Sequence, residues 1–466
     1  VSFFFALPFK IGKIKIIMVP MMKFIVLYKQ GIFLSFLTGI SYLLGYLRDK
    51  IFAHYYGLST TLDIYHASFV IPDTVMNLFL AGAMVSVLVP FMNKYDQDDQ
   101  KDMYLNAILE IGLILNIIVC TLLYFMMPAL VPVVVQKKEL IEPVILYSRV
   151  LLLSPIIFFM SNFLGGILVK NRNLICYGLS PILYNIGIIG GVIFLHAYGI
   201  LGIILGALVG AFLHTAIRWT GVVLQKEKVR FMIVHVVHRW KAIANAFQDF
   251  FRLALPKMIS LTTLHINYWL FTYYASQSHT EGSIFALNIC KNFYNVPISI
   301  IAIALATDAF AQLSISFAKQ DGMCLQRTFK KYFLVIGVSG VIFGLIYFFF
   351  APLLILILFQ GGKFDHQAVL FTGTLLSYFG LVIIFESIMQ YLARVLHAMQ
   401  DTFWQMISQL SCLIVTSALL FFIFPSIGII TIPISFSIGM FGQNIIQGCV
   451  IWRKIKSIDT ARQAVL

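Results

Sequence analysis

The sequence predicts an all-α integral membrane protein: about twelve transmembrane helices in two pseudo-two-fold-related six-helix lobes with a central cavity. Three observations predict it: the composition, the alternation of basic connections, and an internal repeat. Of the 466 residues, 60% are hydrophobic and 11% charged, with a mean hydropathy of +0.92. A soluble chain of this length needs far more charge to cover its surface. Apolar runs of about 18 or more residues recur along the chain, each able to cross roughly 30 Å of hydrocarbon. Backbone groups inside lipid must satisfy one another within the segment, so the runs read as helices.

In order, the first lobe is expected to hold spans at 31–56, 62–93, 103–132, 144–168, 174–196 and 199–224. The second holds 252–276, 283–318, 328–359, 367–398, 403–424 and 427–452. Several exceed the minimum length, so tilt or kinking is expected. Between the lobes, 225–251 is a basic linker, and 453–466 is a tail. Residues 1–30 read as a basic lead-in with Lys10, Lys13, Lys15 and Lys23, and no small-residue site marks a cleaved signal peptide. A misassigned start codon would lengthen such a lead-in.

The basic connections alternate. One side holds Lys94, Lys101, Lys170, Arg172, the linker, Lys319, Arg327, Lys330, Lys331, Arg394, Arg453, Lys454 and Lys456; the other has little beyond Lys50, Lys137, Lys138 and Lys363. The positive-inside rule then puts both termini of this multi-pass protein in the cytoplasm and supports an even span count. The same distribution accounts for the net charge of +14 without a nucleic-acid partner. Six cysteines are scattered without CxxC or His pairing, so neither a disulfide framework nor a zinc site is expected.

The repeat has an offset near 225. Pro72 and Lys94-Tyr95-Asp96 are matched by Pro297 and Lys319-Gln320-Asp321, and Gly202 by Gly428. Six spans per lobe make the repeat parallel, its axis along the membrane normal, so a cavity between lobes can open to either face by rocking.

Charged residues within spans are costly and mark a cavity or a partner. Arg48 is a permanently charged fork suited to phosphate oxygens, beside Asp49 and followed by Asp63, which can hold the fork or couple to a cation. An interfacial ion pair at a helix end explains the three equally well. Lys291 and its repeat partner His66 each precede a proline by six residues, which brings both to the seam as a cationic pair. Lys257 either joins them or snorkels to the cytoplasmic surface. Glu110, Arg149, Asp308 and Glu386 fit inter-helix pairing better than an ion-coupling route. No phosphate loop, H-E-x-x-H or G-x-S-x-G occurs, so no enzyme, metal or cofactor chemistry is expected.

Several stretches resemble the MviN/MurJ family within the multidrug/oligosaccharidyl-lipid/polysaccharide exporter group. In the first lobe they are Leu44-Gly45-Tyr46-Leu47-Arg48-Asp49, then Tyr56-Gly57, Asp63, Ala67-Ser68-Phe69, Ile71-Pro72-Asp73, Gly82-Ala83, Val89-Pro90 and the run from Ser180 to Ile189. The second lobe adds Leu255-Pro256-Lys257, Ile266-Asn267, Phe293 to Pro297, Phe359 to Asp365 and Ala393 to Thr402. The chain departs from the family at Tyr42, Met76, Asn77, Ala81, Lys291, Asn292 and Asn295, where members often carry charges, and it shows twelve spans against a typical fourteen.

The resemblance implies a flippase that exports the lipid-linked peptidoglycan precursor, lipid II, by alternating access. Arg48, Asp49 and Asp63 match the family's functional positions; His66, Lys257 and Lys291, taken from the repeat and the spans, complete the expected substrate site. The departures keep open another polyprenyl-diphosphate oligosaccharide as cargo, or a multidrug/toxin extruder-like transporter. Expected partners are a lipid-linked oligosaccharide diphosphate, membrane lipids and cell-wall synthesis proteins.

Overall fold

The computed structural model describes residues 14–77, 88–89, 92, 101–225, 248, 263–401 and 403–465. These residues are helical almost throughout, and follow the expected spans in order. In the first lobe α1 is Ile14–Tyr56, α2 Thr60–Met76 and α3 Lys101–Val134. The fourth span is broken near Leu152 into α4 (Lys138–Leu151) and α5 (Leu153–Lys170), followed by α6 (Leu174–Phe194) and α7 (Ile200–Leu224).

The second lobe begins with α8, 263–276. Its next span is α9 (Ser283–Pro297), a π turn (Ile298–Ala302) and α10 (Ile303–Ala318). Then come α11 (Gly322–Phe359), α12 (His366–Ala398), α13 (Phe403–Ile427) and α14 (Thr431–Val465). Eight described helical stretches are long and apolar enough to cross a membrane, the last joining α13 and α14 through their short turn. The expected lead-in is, from Ile14 onward, continuous with α1 rather than a separate segment.

Within the first lobe α7 packs on α5 and α6, α1 on α6, α2 on α4, and α3 on α5; in the second, α12 packs on α9, α10, α11 and α14, and α13 on α14. Small residues let backbones touch, as lipid offers no hydrophobic drive for helix pairing. A Cβ on Gly187 would meet the Gly210 Cα at 2.3 Å, and one on Gly380 would meet the Gly344 carbonyl oxygen at 2.4 Å. α2 and α9 face each other across the seam.

The repeat is visible in the backbone. Gly57 (φ 64) and Gly282 (φ 74) occupy the same left-handed turn 225 residues apart. Pro72 and Pro297 follow at that offset, and Asn77 has π-type geometry where the second lobe has Ala302. Between fifth and sixth spans the structural partner of Gly428 (φ 69) is Gly199 (φ 59). Gly202 lies inside α7 against the Leu195 carbonyl, so the sequence match placed that turn three residues late.

At the opposite end, the turns after Lys170, Ala318 and Ala398 are alike. Arg172, Gln320 and Gln400 are left-handed, and the amides of Asn173, Asp321 and Asp401 reach back to the carbonyls of Leu168, Ser316 and Leu396 at 2.8, 3.0 and 2.9 Å. Each Asn or Asp then caps the next helix.

Candidate functional site

A cavity of about 380 Å³ lies on the seam between the lobes. α1 and α2 contribute Arg48, Tyr65, His66 and Asp73, α6 contributes Tyr184, and the second lobe supplies His265, Tyr268, Trp269, Asn288, Lys291 and Asn292. Aromatic rings form much of the remaining wall. Arg48 and Lys291 therefore approach one space from opposite lobes.

Arg48 is fixed by its neighbours. Its Nε and Nη2 donate to Asp49 Oδ1 at 2.9 and 2.8 Å, and Nη1 donates to Asn185 Oδ1 at 3.3 Å. Asn185 is itself anchored, its Nδ2 donating to the Pro181 carbonyl at 3.1 Å. Two of the five N–H groups of the fork take no part in these bonds. Asp49, 1% exposed, does not line the cavity; it orients the arginine and takes Asn292 Nδ2 across the seam at 2.7 Å.

Lys291 holds its ammonium over the Tyr268 ring, 4.4 Å from the centroid. His66 also lines the cavity, stacked on Phe285 of the other lobe with centroids 5.4 Å apart. Asp73, close enough to Lys291 for their charges to interact, is a cavity acid that the sequence reading quoted but did not assign. It sits seven residues after His66, two helical turns along the same face, and that spacing could have found it.

Asp63 is placed otherwise than expected. It neither lines the cavity nor touches Arg48; 4% exposed, its Oδ1 accepts the amides of Ile284 and Phe285 at 2.8 and 3.0 Å. The first lobe thus caps a helix of the second, satisfying orphan N–H groups and meeting the positive end of the α9 dipole. Lys257 lies outside the described residues.

The same end of the molecule is stitched further. Lys363 donates its amide to the His54 carbonyl at 2.9 Å, Tyr46 its hydroxyl to the Leu358 carbonyl at 2.9 Å, and Gln136 its amide to Ser276 Oγ at 2.9 Å. Gly57 and Gly362 make this approach possible: a Cβ on either would come within 2.4 Å of the other lobe's backbone. Trp269 Nε1 donates to Thr74 Oγ1 at 2.7 Å beside the cavity. The cavity is closed toward the end bearing the 57–59 and 277–282 turns. Among the described residues no group of three or more His, Cys, Asp or Glu is arranged to hold a metal ion.

The family model described as lipid II flippase MurJ matches residues 52–464. A probable lipid II flippase MurJ from Aquifex aeolicus is 23% identical over 380 residues, covering 80% of this chain and 73% of the relative. The lipid II flippase MurJ of Thermosipho africanus is 32% identical over 189 residues, 40% of this chain and 39% of its own. Among solved structures, lipid II flippase MurJ in an inward closed conformation superposes with a TM-score of 0.74 at 23% identity, covering 92% of this chain and 90% of that one. An inward-facing multidrug resistance MATE family transporter also reaches 0.74, at 15% identity, covering 90% and 95%.

Proposed function

Since this chain belongs to the MurJ lipid II flippase family, we propose that it carries lipid-linked peptidoglycan precursor, lipid II, from the inner to the outer leaflet by alternating access. The observation that carries this reading is the seam cavity, into which opposite lobes direct Arg48 and Lys291. Two cations on separate rigid bodies can grip one diphosphate and follow the lobes as they rock. Asp49 positions Arg48, His66 contributes a polar edge, and Lys257 assists at the cytoplasmic entrance. Asp63 belongs to the outer gate rather than to the cargo site. No bond is made or broken in the cargo, so the protein acts as a transporter and not as an enzyme.

The alternation of basic connections supports an orientation with the stitched end outside and both termini in the cytoplasm of the inner membrane. The lobes are taken as 31–224 and 252–452, joined by the 225–251 linker. Cell-wall synthesis proteins are the partners such an activity calls for.

Another polyprenyl-diphosphate oligosaccharide is favoured by one feature. Met76, Asn77 and Asn292 line the cavity and bring neutral side chains, while Asp73 stands against Lys291. Complementation of cells depleted of their own lipid II flippase separates the two cargoes. Growth is expected with the intact chain and not with Arg48→Ala. Failure of a properly inserted intact chain would remove lipid II as the cargo.

A further inference from the structure

Rings line much of the seam cavity, and among the described residues all but one of them are matched to another ring. Tyr268 meets His265 and Phe271 with centroids 5.9 and 6.2 Å apart, and Tyr294 stacks on Phe379 at 5.0 Å. Across the space, Tyr65 meets Phe69 at 5.0 Å and Tyr184 meets Phe158 at 5.2 Å. Trp269 of α8, half-buried, has neither a ring nor a cation for a partner among the described residues. Its polar contact is at the edge: Nε1 donates to Thr74 Oγ1 at 2.7 Å, while the Thr74 hydroxyl proton goes to the Val70 carbonyl at 2.7 Å. That bond crosses the seam, so the first lobe fixes the plane of a ring that the second lobe carries. A large aromatic held by its edge keeps ring surface for a ligand.

The indole stands among groups suited to hydroxyls. Asp73, the residue before Thr74, lines the cavity from α2, and Asn288 of α9 lines it from the other lobe. Neither side chain makes a hydrogen bond among the described residues. The two cations lie nearer the stitched end. Arg48 and Lys291 each stand about 12 Å along their helices from that end, and Thr74 about 21 Å. One diphosphate and the ring attached to it can bridge the two levels. A pyranose offers what this combination takes: an apolar face of C–H groups for the indole, and hydroxyls that donate to Asp73 and accept from Asn288. An aromatic organic cation also suits an indole beside an acid, but Arg48 and Lys291 share this space and repel it.

We propose that Trp269 is the sugar-reading residue of the cavity. Its indole takes the pyranose linked to the diphosphate, Asp73 and Asn288 bind the hydroxyls of that ring, and Thr74 positions the indole. That the sugar belongs to a lipid-linked cargo rests on the flippase reading; the sugar site itself does not.

The test uses the full chain in detergent and two water-soluble probes: a short-chain prenyl diphosphate, and the same diphosphate carrying one N-acetylhexosamine. The wild type binds the glycosylated probe about tenfold more tightly than the bare one. Trp269→Leu loses that preference while holding the bare probe within about twofold of wild type. Thr74→Val and Trp269→Phe, which lack the cross-seam bond but keep an aromatic face, retain an intermediate preference. Arg48→Ala weakens both probes alike. With the other tryptophans replaced by phenylalanine, the emission of Trp269 shifts on adding the glycosylated probe and not the bare one. A preference that survives in Trp269→Leu, a loss that falls equally on both probes, or an emission blind to the sugar overturns the proposal. So does saturable binding of tetraphenylphosphonium that Trp269→Leu abolishes. The expected preference in a chain that moves no labelled glycolipid across liposomes supports the sugar site and instead refutes the flippase reading.

Discussion

Each lobe buries a charged group among its helices, and the two are accommodated in opposite ways. Arg218 of α7, 4% exposed, is engaged through two of its three nitrogens: Nε donates to Ser180 Oγ at 2.8 Å, and Nη1 to the Ser161 carbonyl at 3.0 Å and to Asn162 Oδ1 at 3.2 Å. The Tyr177 ring lies 4.7 Å from the guanidinium carbon, and Gly165 leaves room for Nη1. These contacts brace α5, α6 and α7 with one side chain. Glu386 of the second lobe has its Oε2 without a hydrogen-bond partner among the described residues, though Tyr294 and Gln390 lie within reach of the carboxyl group. Buried polar groups are nearly always paired, so the contrast is between a charge braced on three helices and an acid with one oxygen left without a partner among the described residues.

Breaking the brace should have the largest effect. Arg218→Met leaves several buried acceptors without a donor and should cost about 3 kcal/mol, read as a lower Tm of the purified protein. A stable but inactive Arg218→Met would erase the contrast between the lobes. Asp63→Ala strands two buried amides at the head of α9 and should cost about 2 kcal/mol. It should also expose a cysteine placed at residue 284 to a water-soluble thiol reagent added outside. Glu386→Gln preserves shape and should change stability by less than about 1 kcal/mol in the same melting experiment; a large loss would make Glu386 a brace as well.

The smallest effect lies in the 399–401 turn. Burial alone would raise the Asp401 carboxyl. A hydrogen bond and ion pair with Lys454 at 2.6 Å, together with the Trp404 amide, outweigh burial and hold it below the usual carboxylate range. A depressed folded value means that the stabilisation is complete above about pH 4, the unfolded value, and fades as pH falls through the folded one. An acid melt of Asp401→Asn should therefore lose less on acidification than that of the wild type.

Hydropathy made the spans legible because hydrocarbon thickness leaves few alternatives for long apolar runs. The repeat made the seam legible: His66 and Lys291, paired by offset alone, both line the cavity. Asp63 could not be read correctly, since its partners are amides more than 200 residues away and amides carry no sequence signature. Asn185 was equally hidden, quoted within a motif yet serving as the second anchor of the arginine. Asp73 lay within reach of helical periodicity. The contrast between Arg218 and Glu386 lay beyond it, because whether a buried charge is satisfied depends on side-chain geometry.

The π turn after Pro297 has a mechanical consequence. α9 is 15 residues long, so it projects about 22 Å from that turn to the stitched end of the seam. A tilt of about 10° at the turn would carry its tip roughly 4 Å, farther than the 2.8 and 3.0 Å bonds to Asp63 can stretch. Wound one residue wide at its pivot, the helix can act as a lever, releasing the Asp63 clasp while α10 stays seated among its neighbours.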